Sequence, residues 1–515
     1  MMRLSKLKNS MLLLIAVISM NIGCNKQLDI ASTSVANQQN VWKTLEDARS
    51  GVMGMYGLLR AALAADNAHW LRGELRNGIF VSTSRPDLKA IIDGNLNAGY
   101  PIMKDATDWR RFYALINACN VLLENIENCR ADTRYTRAYY NVDVAQARAL
   151  RAFAYFYISR IWGDVPLITS SGEKDNFKAV SRTDKVTVLD FAERELLAVV
   201  SDLPFTYSGD DPEFKFPQNY YGANEDFWSN APITRVAAYA ILAHVTAWQG
   251  KYADVAAYTE FVVANATRAG LTVATTDQLV GSGASGVFSS SLGNYRQLFS
   301  ARFLKTTAEF TVDGHIEQLT LANTTAFSMS KQLPDIYVPK IKINEIFSEE
   351  PGDQLKDERF LDDTYFENYD AEIPVFKKIR VIDEGIANPN YIIYNSALVF
   401  TRLEDIKLLR AEALAVLGLY DDAYAELNGI RSARGLAPIS SAMPNKNTLL
   451  KQIQAERTKE LMGEGWHWYD LIRFAKIFRD DPEMNLLIDQ GGIYWPVSKE
   501  VLNSNSQIQQ TPYWQ

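Results

Sequence analysis

Two distant segments of the chain share one pattern, and that pattern limits the possible folds more than any other feature. Residues 240–258 (AILAHVTAWQGKYADVAAY) and 408–427 (LLRAEALAVLGLYDDAYAEL) each read as a helix with small residues on one side, then Gly-x-Tyr at a turn, then a second helix. The two tyrosines are Tyr252 and Tyr420. Alanine and glycine allow antiparallel helices to approach closely while an aromatic ring wedges between them, as in tetratricopeptide hairpins. The pattern predicts a scaffold of helical hairpins.

Other segments extend the helical prediction. Thr44, with Asp47 three residues later, is typical of a helix N-cap and opens the amphipathic segment TLEDARSGVMGMYGLLRAAL. The segment 144–163 (VAQARALRAFAYFYISRIWG) is apolar around most of its circumference. A helix of this kind is buried rather than surface-lying.

Long insertions separate the two hairpin segments from the other helices and from each other. The first, 206–230, is rich in turn residues and aromatics, and the second runs from 270 to about 395. In the second we predict a short β-hairpin around Asp313-Gly314 and a strand in NYIIYNSALVF. The predicted fold is therefore mainly α: a tetratricopeptide-like helical hairpin scaffold with long ligand-binding loops and a few short strands.

The N-terminus has the features of a lipoprotein leader. Basic residues precede a largely apolar run at 11–20, and shortly after it the small residue Gly23 directly precedes Cys24. The run is shorter than the roughly 18 residues that a membrane span needs. We predict a lipoprotein signal peptide at 1–23, acylation of Cys24, and a lipid tether at 24–43; the alternative is an ordinary signal peptide cut nearby. An acylated chain is anchored to a membrane without spanning it.

Charge and cysteine content exclude several classes of protein. The chain has a net charge of −8 and no cluster of Lys or Arg, which argues against a nucleic-acid-binding protein. Apart from Cys24 the chain has only Cys119 and Cys129, ten positions apart in one predicted helix. That spacing separates Cα atoms by about 15 Å, whereas a disulfide needs less than about 7 Å. We expect no disulfide between them.

The stretch ERTKELMGEGWHWYDLIRF offers the most specific metal hypothesis. Glu464 and His467 have the Glu-x-x-His spacing of di-iron bundles, but the sequence has no second Glu-x-x-His to complete such a centre. The alternative is a structural role, in which acids and bases of this stretch pair with one another: Glu456, Arg457, Glu464, Asp470 and Arg473. We therefore expect no metal, no cofactor and no catalytic residue.

The segment 281–286 (GSGASG) matches a dinucleotide-binding fingerprint, but no helix start follows it. We interpret it as a loop. The sequence also lacks a G-x-S-x-G elbow, an H-E-x-x-H motif and a phosphate-binding P-loop. Motif content thus gives no support to an enzyme.

Several stretches, taken together and in order, resemble the SusD/RagB family of nutrient-binding surface lipoproteins of Bacteroidetes. They are CNKQLDI, INACNVLLENI, QARALRAFAYFYISRIWGDVPLI, RLEDIKLLRAEAL, ERTKELMGEGWHWYDLIRF and YWPVSKEVLNSNSQIQQTPYW. The chain departs from the family at Asn21, before the predicted lipidation site, and at Gly463, where many members have a bulky residue.

The resemblance implies a helical scaffold with ligand loops on one side, an N-terminal part at 44–230 and a C-terminal part at 231–515 that form one compact unit. It also implies a non-enzymatic protein, lipid-anchored and exposed on the outer membrane, that captures an oligosaccharide and delivers it to a SusC-like TonB-dependent transporter. A peptide or another nutrient is the alternative ligand. Two further functions stay open: a glycan-active or metal-dependent hydrolase, and a helical-repeat adaptor that binds only protein.

Sugar rings stack on aromatic faces and bind amide and carboxylate groups through their hydroxyls. Aromatic residues make up 11% of the chain, so most of them must form the core. The loops nevertheless provide candidate ligand-binding residues: Trp70, Asn77, Tyr100, Tyr220, Tyr221 and Trp228. The alternatives for these side chains are packing against a barrel partner or ordinary surface exposure.

Overall fold

The structure is a computed structural model that describes residues 41–515, apart from 83, 173, 175, 177, 210, 212, 214–218, 305–308, 310–312, 325–327, 349–356, 362–363, 386–387 and 442. The predicted signal peptide, Cys24 and most of the predicted tether lie outside the described residues, so they stay predictions. Among the helices that are described, none is long and apolar enough to cross a membrane.

Helices dominate the described chain. In the N-terminal half they are α1 (Leu45–Ala64), α2 (Ala68–Trp70), α3 (Pro86–Ile92), α4 (Pro101–Ala106), α5 (Arg110–Asn125), α6 (Arg137–Trp162), α7 (Lys185–Leu197), α8 (Glu225–Trp228), α9 (Arg235–Gln249) and α10 (Tyr252–Asn265). In the C-terminal half they are α11 (Thr276–Val280), α12 (Glu317–Thr320), α13 (Lys340–Phe347), α14 (Leu403–Val416), α15 (Tyr420–Ser432), α16 (Lys446–Glu460), α17 (His467–Phe478), α18 (Pro482–Asp489) and α19 (Lys499–Ser504).

Shorter helical turns join these elements. A π-helix follows α2 at Leu71–Leu75. Turns of 3₁₀-helix lie at Ala65–Asn67, Ile126–Ala131, Val200–Asp202, Tyr220–Gly222, Thr267–Ala269 and Pro512–Trp514.

The first layer of the fold is built on the apolar helix α6. Helix α1 packs on α5 and α6, and α6 packs on α7. Thr44 caps α1 as predicted, since its side chain accepts a hydrogen bond from the Asp47 amide and Asp47 accepts from the Thr44 amide. Cys119 and Cys129 are both buried and carry free thiols.

The two hairpins predicted from the repeated pattern are confirmed. Helices α9 and α10 pack together, α10 packs on α14, and α14 packs on α15. Both turns use a glycine in the left-handed region, Gly250 at φ +78° and Gly418 at φ +82°. Glycine has no Cβ penalty in that region. Tyr252 packs between the hairpins against small residues that include Ala413, and its hydroxyl donates to Glu412 (3.0 Å).

The strands are short and paired in antiparallel twos. They are β1 (Phe299–Ala301) with β6 (Leu398–Thr401), β2 (Phe366–Glu367) with β3 (Val375–Phe376), and β4 (Ile382–Gly385) with β5 (Asn388–Tyr394). The prediction of a mainly α fold with a few short strands is confirmed.

The β-hairpin expected around Asp313-Gly314 is wrong. The residues that would form its second strand fold as the helix α12 (Glu317–Thr320). The cause is a tertiary contact: the Asn67 side-chain oxygen accepts hydrogen bonds from the amides of Gly314 (2.9 Å) and His315 (3.1 Å). These amides are therefore not available to a β-ladder.

One hydrophobic core joins the beginning and the end of the described chain. Its buried members run from Ala48 in α1 to Ile508 near the C-terminus and include the rings of Trp162 and Trp495. Residues of both predicted parts, 44–230 and 231–515, contribute to it. The boundary between the parts stays a prediction.

Candidate functional site

The Glu-x-x-His stretch forms a buried ion cluster rather than a metal centre. Glu464 accepts hydrogen bonds from Lys378 (2.6 Å) and Arg402 (2.8 and 2.9 Å). Glu460 accepts from Arg402, Arg434 and Arg359 at 2.8–3.1 Å. These side chains are at most 2% exposed. The carboxylates are thus occupied by cations, and no group of His, Cys, Asp and Glu within the described ranges could hold a metal ion.

The arginines of the cluster stabilise the ionised form of its carboxylates. Burial alone would raise the pKa of Glu460, but the neighbouring Arg434 and Arg402 hold it well below its ordinary value. His467 lies apart from the cluster, and its Nε2 contacts the carbonyl oxygen of Asn77 (3.3 Å). Glu464 and His467 therefore make separate contacts and do not act as a pair. The predicted pairing within this stretch is confirmed for Asp470, which binds Arg457 (2.9 Å) and Arg473 (2.8 Å). Glu464 and Glu456 pair instead with cations from outside the stretch.

The turn before α17 is held by a buried carboxylate from the other end of the chain. The amides of Gly463 (2.8 Å) and Gly465 (2.9 Å) donate to the two oxygens of Glu74. Both glycines have φ +78°. A Cβ at Gly465 would lie 2.6 Å from the His69 ring. Burial raises the pKa of Glu74 to about 7, although the two amides oppose the shift. This contact joins the π-helix Leu71–Leu75 to the ion cluster.

Four of the candidate ligand-binding rings lie in the interior. Their exposed fractions are 1% for Trp70, 0% for Tyr220, 7% for Tyr221 and 2% for Trp228. Stacking on a sugar needs an open ring face, which none of the four presents in this structure. Their positions therefore do not support a ligand role.

These rings hold the insertions in place instead. Tyr220 and Tyr221 both donate their hydroxyls to Asp143, which lies on the buried helix α6. Trp228 donates to the Tyr220 carbonyl (2.8 Å), and Trp70 donates to the Gly314 carbonyl (3.2 Å). A sequence signal for this role exists: an aspartate inside an apolar helix must find hydrogen-bond donors when it is buried.

A polar cleft lies where α1 ends. It has a volume of about 690 Å³, within the range of roughly 300–1,000 Å³ that is usual for ligand sites. Segments that are far apart in sequence line it: Asp66, Asn67, Leu71, Arg85, Asp87, Pro101, Ile102, Asp105, Asp313, Gln318, Leu319, Lys331 and Asp335. We take this cleft as the candidate functional site.

The cleft exists because the chain turns sharply after α1. Asp66 (φ +50°) and Asn67 (φ +56°) both adopt the left-handed conformation. Asp and Asn tolerate this region better than other non-glycine residues, although it still has an energetic cost. Asn67 also donates to Gln318 (2.7 Å) while it binds the Gly314 amide. The kink thus fixes one wall of the cleft, and Trp70 supports the same Gly314 segment from the interior.

The cations of the cleft are bound to its own aspartates. Arg85 donates two hydrogen bonds to Asp87 (2.9 and 2.6 Å) and lies 3.6 Å from Asp335. The Asp87 carboxylate raises the pKa of Arg85, and Arg85 in turn lowers the pKa of Asp87. Lys331 donates to Asp335 (2.9 Å) and to the Gln318 carbonyl (2.7 Å).

Two acids of the lining, Asp66 and Asp105, lie close to each other. Partial burial raises the pKa of Asp105, and the neighbouring Asp66 carboxylate raises it further. Arg111 opposes this shift with a smaller effect. The arrangement concentrates hydrogen-bond acceptors in a confined space, which suits hydroxyl donors.

The two remaining candidates are on the surface. Tyr100 is 37% exposed and directly precedes Pro101 and Ile102, which line the cleft. Asn77 is exposed with φ +45°, but it is not among the lining residues. A ligand role for either stays a prediction, and only Tyr100 is next to the cleft.

Two segments of the chain match known family models, and one relative aligns with nearly its whole length. Residues 363–486 match a family model described as "SusD family", and residues 79–219 match one described as "Starch-binding associating with outer membrane". The SusD-like protein P38 of Formosa agariphila is 27% identical over 99% of this chain and 100% of its own length.

Solved structures agree with these matches. A SusD superfamily protein from Bacteroides thetaiotaomicron is 41% identical, covers 92% of this chain and 99% of its own, and superimposes with a TM-score of 0.83. A laminarin-binding SusD-like protein shares the fold at 21% identity and a TM-score of 0.66, over 92% of this chain and 100% of its own.

Proposed function

The chain belongs to the SusD family, and from this premise we propose that it is a non-enzymatic nutrient-binding protein of the outer-membrane surface. In this proposal it captures an oligosaccharide or polysaccharide in the cleft at the end of α1 and delivers it to a SusC-like TonB-dependent transporter. Acylation of Cys24 anchors it to the membrane.

The observation that carries the proposal is the cleft itself. It combines an open volume of about 690 Å³ with carboxylate, amide, guanidinium and ammonium groups, next to one exposed aromatic ring, that of Tyr100. The descriptions of relatives as starch-binding and laminarin-binding support a carbohydrate ligand. The commitment of the Glu464 cluster to internal ion pairs removes the strongest motif for metal-dependent hydrolysis from consideration.

Binding would follow from the geometry of the lining groups. Asp105 and Asp66 accept hydrogen bonds from sugar hydroxyls, and Arg85, held in place by Asp87, donates to ring and hydroxyl oxygens. Tyr100 stacks on a sugar face at the rim. Asn67 already holds the Gly314 segment, which forms one wall of the cleft, in the free protein. Ligand binding therefore loses little conformational entropy in ordering this wall.

Retardation of the purified mature protein in gels that contain single polysaccharides would test the proposal, followed by calorimetry for those that bind. Tyr100→Ala should weaken binding by at least tenfold without changing the unfolding midpoint. Tyr513→Ala is the matched control, since Tyr513 has a similar exposure (39%) but, unlike Tyr100, is not next to any residue that lines the cleft. Hydrolysis of a bound polysaccharide, or equal binding by both variants, would contradict the proposal.

The delivery step needs its own experiment. Immobilised mature protein should retain a TonB-dependent barrel from detergent-solubilised outer membranes, and mass spectrometry should find diacylglycerol on Cys24. Failure of retention with an intact lipid anchor would remove the transporter from the proposal and leave the glycan-binding role to stand alone.

A further inference from the structure

We infer that the cleft selects uncharged glycans and rejects those that carry sulfate or uronate groups. This inference rests on the proposed function and adds to it the substrate class. It follows from the balance of charge in the cleft and from the partners that its cations already have.

The lining of the cleft has a surplus of negative charge. Leaving Asp313 aside, the described lining has four aspartates, Asp66, Asp87, Asp105 and Asp335, and two cations, Arg85 and Lys331. A concave site lined by one sign of charge focuses the field and repels ligands of that sign. An anionic polysaccharide would meet more negative than positive side chains, and the whole chain, at −8, adds to the repulsion at long range.

The cations that could offset this repulsion are already paired. Arg85 uses Nε and one terminal nitrogen on Asp87 and directs the other towards Asp335 (3.6 Å). Lys331 is bound to Asp335 and to a backbone carbonyl. Both cations keep unused N–H donors, but a sulfate or carboxylate that reached one of them would have to share it with an aspartate that already neutralises it. Sharing a neutralised cation brings two like charges together, so an anionic group gains little from it.

A neutral sugar avoids this conflict. Hydroxyl groups donate hydrogen bonds to aspartate oxygens, and such bonds to a charged acceptor are stronger than neutral ones. Asp66 and Asp105 both line the cleft and lie close to each other, so added negative charge is especially unfavourable there. The same residues therefore supply both the affinity for neutral glycans and the discrimination against anionic ones.

Pairs of polysaccharides that differ only in charge will test the inference: laminarin and its sulfate ester, dextran and dextran sulfate, hydroxyethylcellulose and carboxymethylcellulose, with alginate and pectate as natural anionic glycans. At low ionic strength, the charged derivative of any bound neutral glycan should bind at least tenfold more weakly. The difference should narrow at high salt, because salt screens the repulsion. An anionic glycan that binds as tightly as its neutral counterpart overturns the inference and leaves the proposed function intact. Absence of binding to every polysaccharide overturns both.

A charge-neutral variant connects the discrimination to the cleft. The double variant Asp66→Asn, Asp105→Asn removes two carboxylates and keeps the shape of the side chains. The ratio of its affinities for a neutral glycan and for the charged derivative should therefore be at least threefold smaller than in the native protein. Asp480→Asn, at an exposed ion pair that does not line the cleft, should leave it unchanged. If the double variant folds and discriminates as the native protein does, the aspartates are not its source and the inference fails.

Discussion

Replacement of Glu464 by glutamine tests whether the GEGWH stretch supports the fold or performs chemistry. The amide keeps the size of the side chain but removes the charge that Lys378 and Arg402 share. Arg402 retains the carboxylates of Glu460 and Glu404, whereas Lys378 loses its ion-pair partner and is left with neutral acceptors such as the carbonyl oxygens of Glu460 and Met462. Lys378 therefore determines the cost.

The structure bounds that cost. Breaking a buried ion pair by removal of one partner costs about 3–5 kcal/mol. Burial already lowers the pKa of Lys378 to about 8, and Glu464 is the main group that opposes this shift. Without Glu464, Lys378 can lose its proton instead of remaining a buried, unpaired charge. Deprotonation at pH 7 costs about 5 kcal/mol relative to a free lysine. We expect a loss of about 3–5 kcal/mol in the free energy of unfolding.

The pH dependence gives a second signature. In the variant the folded state holds Lys378 neutral while the unfolded state binds a proton, so the stability of the variant rises with pH by up to about 1.4 kcal/mol per unit near neutrality. In the native protein this gain begins only above the Lys378 pKa of about 8. The deficit of the variant should therefore shrink between pH 6 and pH 8.

Urea unfolding followed by tryptophan fluorescence measures both effects. Glu127→Gln is the matched control, because Glu127 pairs with Arg130 on the surface and its loss should leave the stability essentially unchanged. Below its unfolding transition the Glu464→Gln protein should bind polysaccharide as the native protein does. Native stability in the variant, selective loss of binding, or a stoichiometric metal that is lost with Glu464 would refute the reasoning.

Three further substitutions separate stability from binding. Trp468→Ala should cost about 3–5 kcal/mol, since the ring is 1% exposed and lies against the Arg76 guanidinium (4.3 Å), and calorimetric unfolding should show this with binding unchanged in the folded protein. Tyr100→Ala should show the reverse, weaker binding at native stability. For Asp143→Asn, the free energy of unfolding relative to that of the native protein should rise by about 3 kcal/mol between pH 4 and pH 7. Burial raises the pKa of Asp143 to about 6, so the native protein loses the stability that this carboxyl contributes as pH rises through that range, whereas the variant does not. A difference between the two unfolding curves that does not vary with pH would contradict the last prediction.

The helical scaffold could be predicted because its determinants are local. Small residues before Gly250, with Tyr252 after it, specify a close helical hairpin without reference to the rest of the chain. The burial of Tyr220 could not be predicted in this way, because it depends on Asp143, a residue 77 positions away. A turn-rich segment indicates a loop, but it does not say which rings of that loop face inward.

The cleft was missed for a related reason. Its lining comes from four separate segments, and none of them contains a motif. The one local signal is the pair Asp66-Asn67 at the end of α1, since these residue types tolerate the left-handed backbone that the kink requires. Sequence alone could place a sharp turn there, but not the 313–335 segment that packs opposite it.

One short segment, residues 67–74, contacts both the turn beside the ion cluster and the wall of the cleft. A change in the buried cluster can therefore affect the surface site. Glu74 binds the amides of Gly463 and Gly465 on one side of residues 67–74, while Asn67 and Trp70 bind the Gly314 segment on the other. The cluster therefore does not touch a ligand, yet it holds the segment from which one wall of the cleft is built. A change in the cluster can reach the cleft only by releasing that segment, so loss of binding should accompany unfolding and should never precede it.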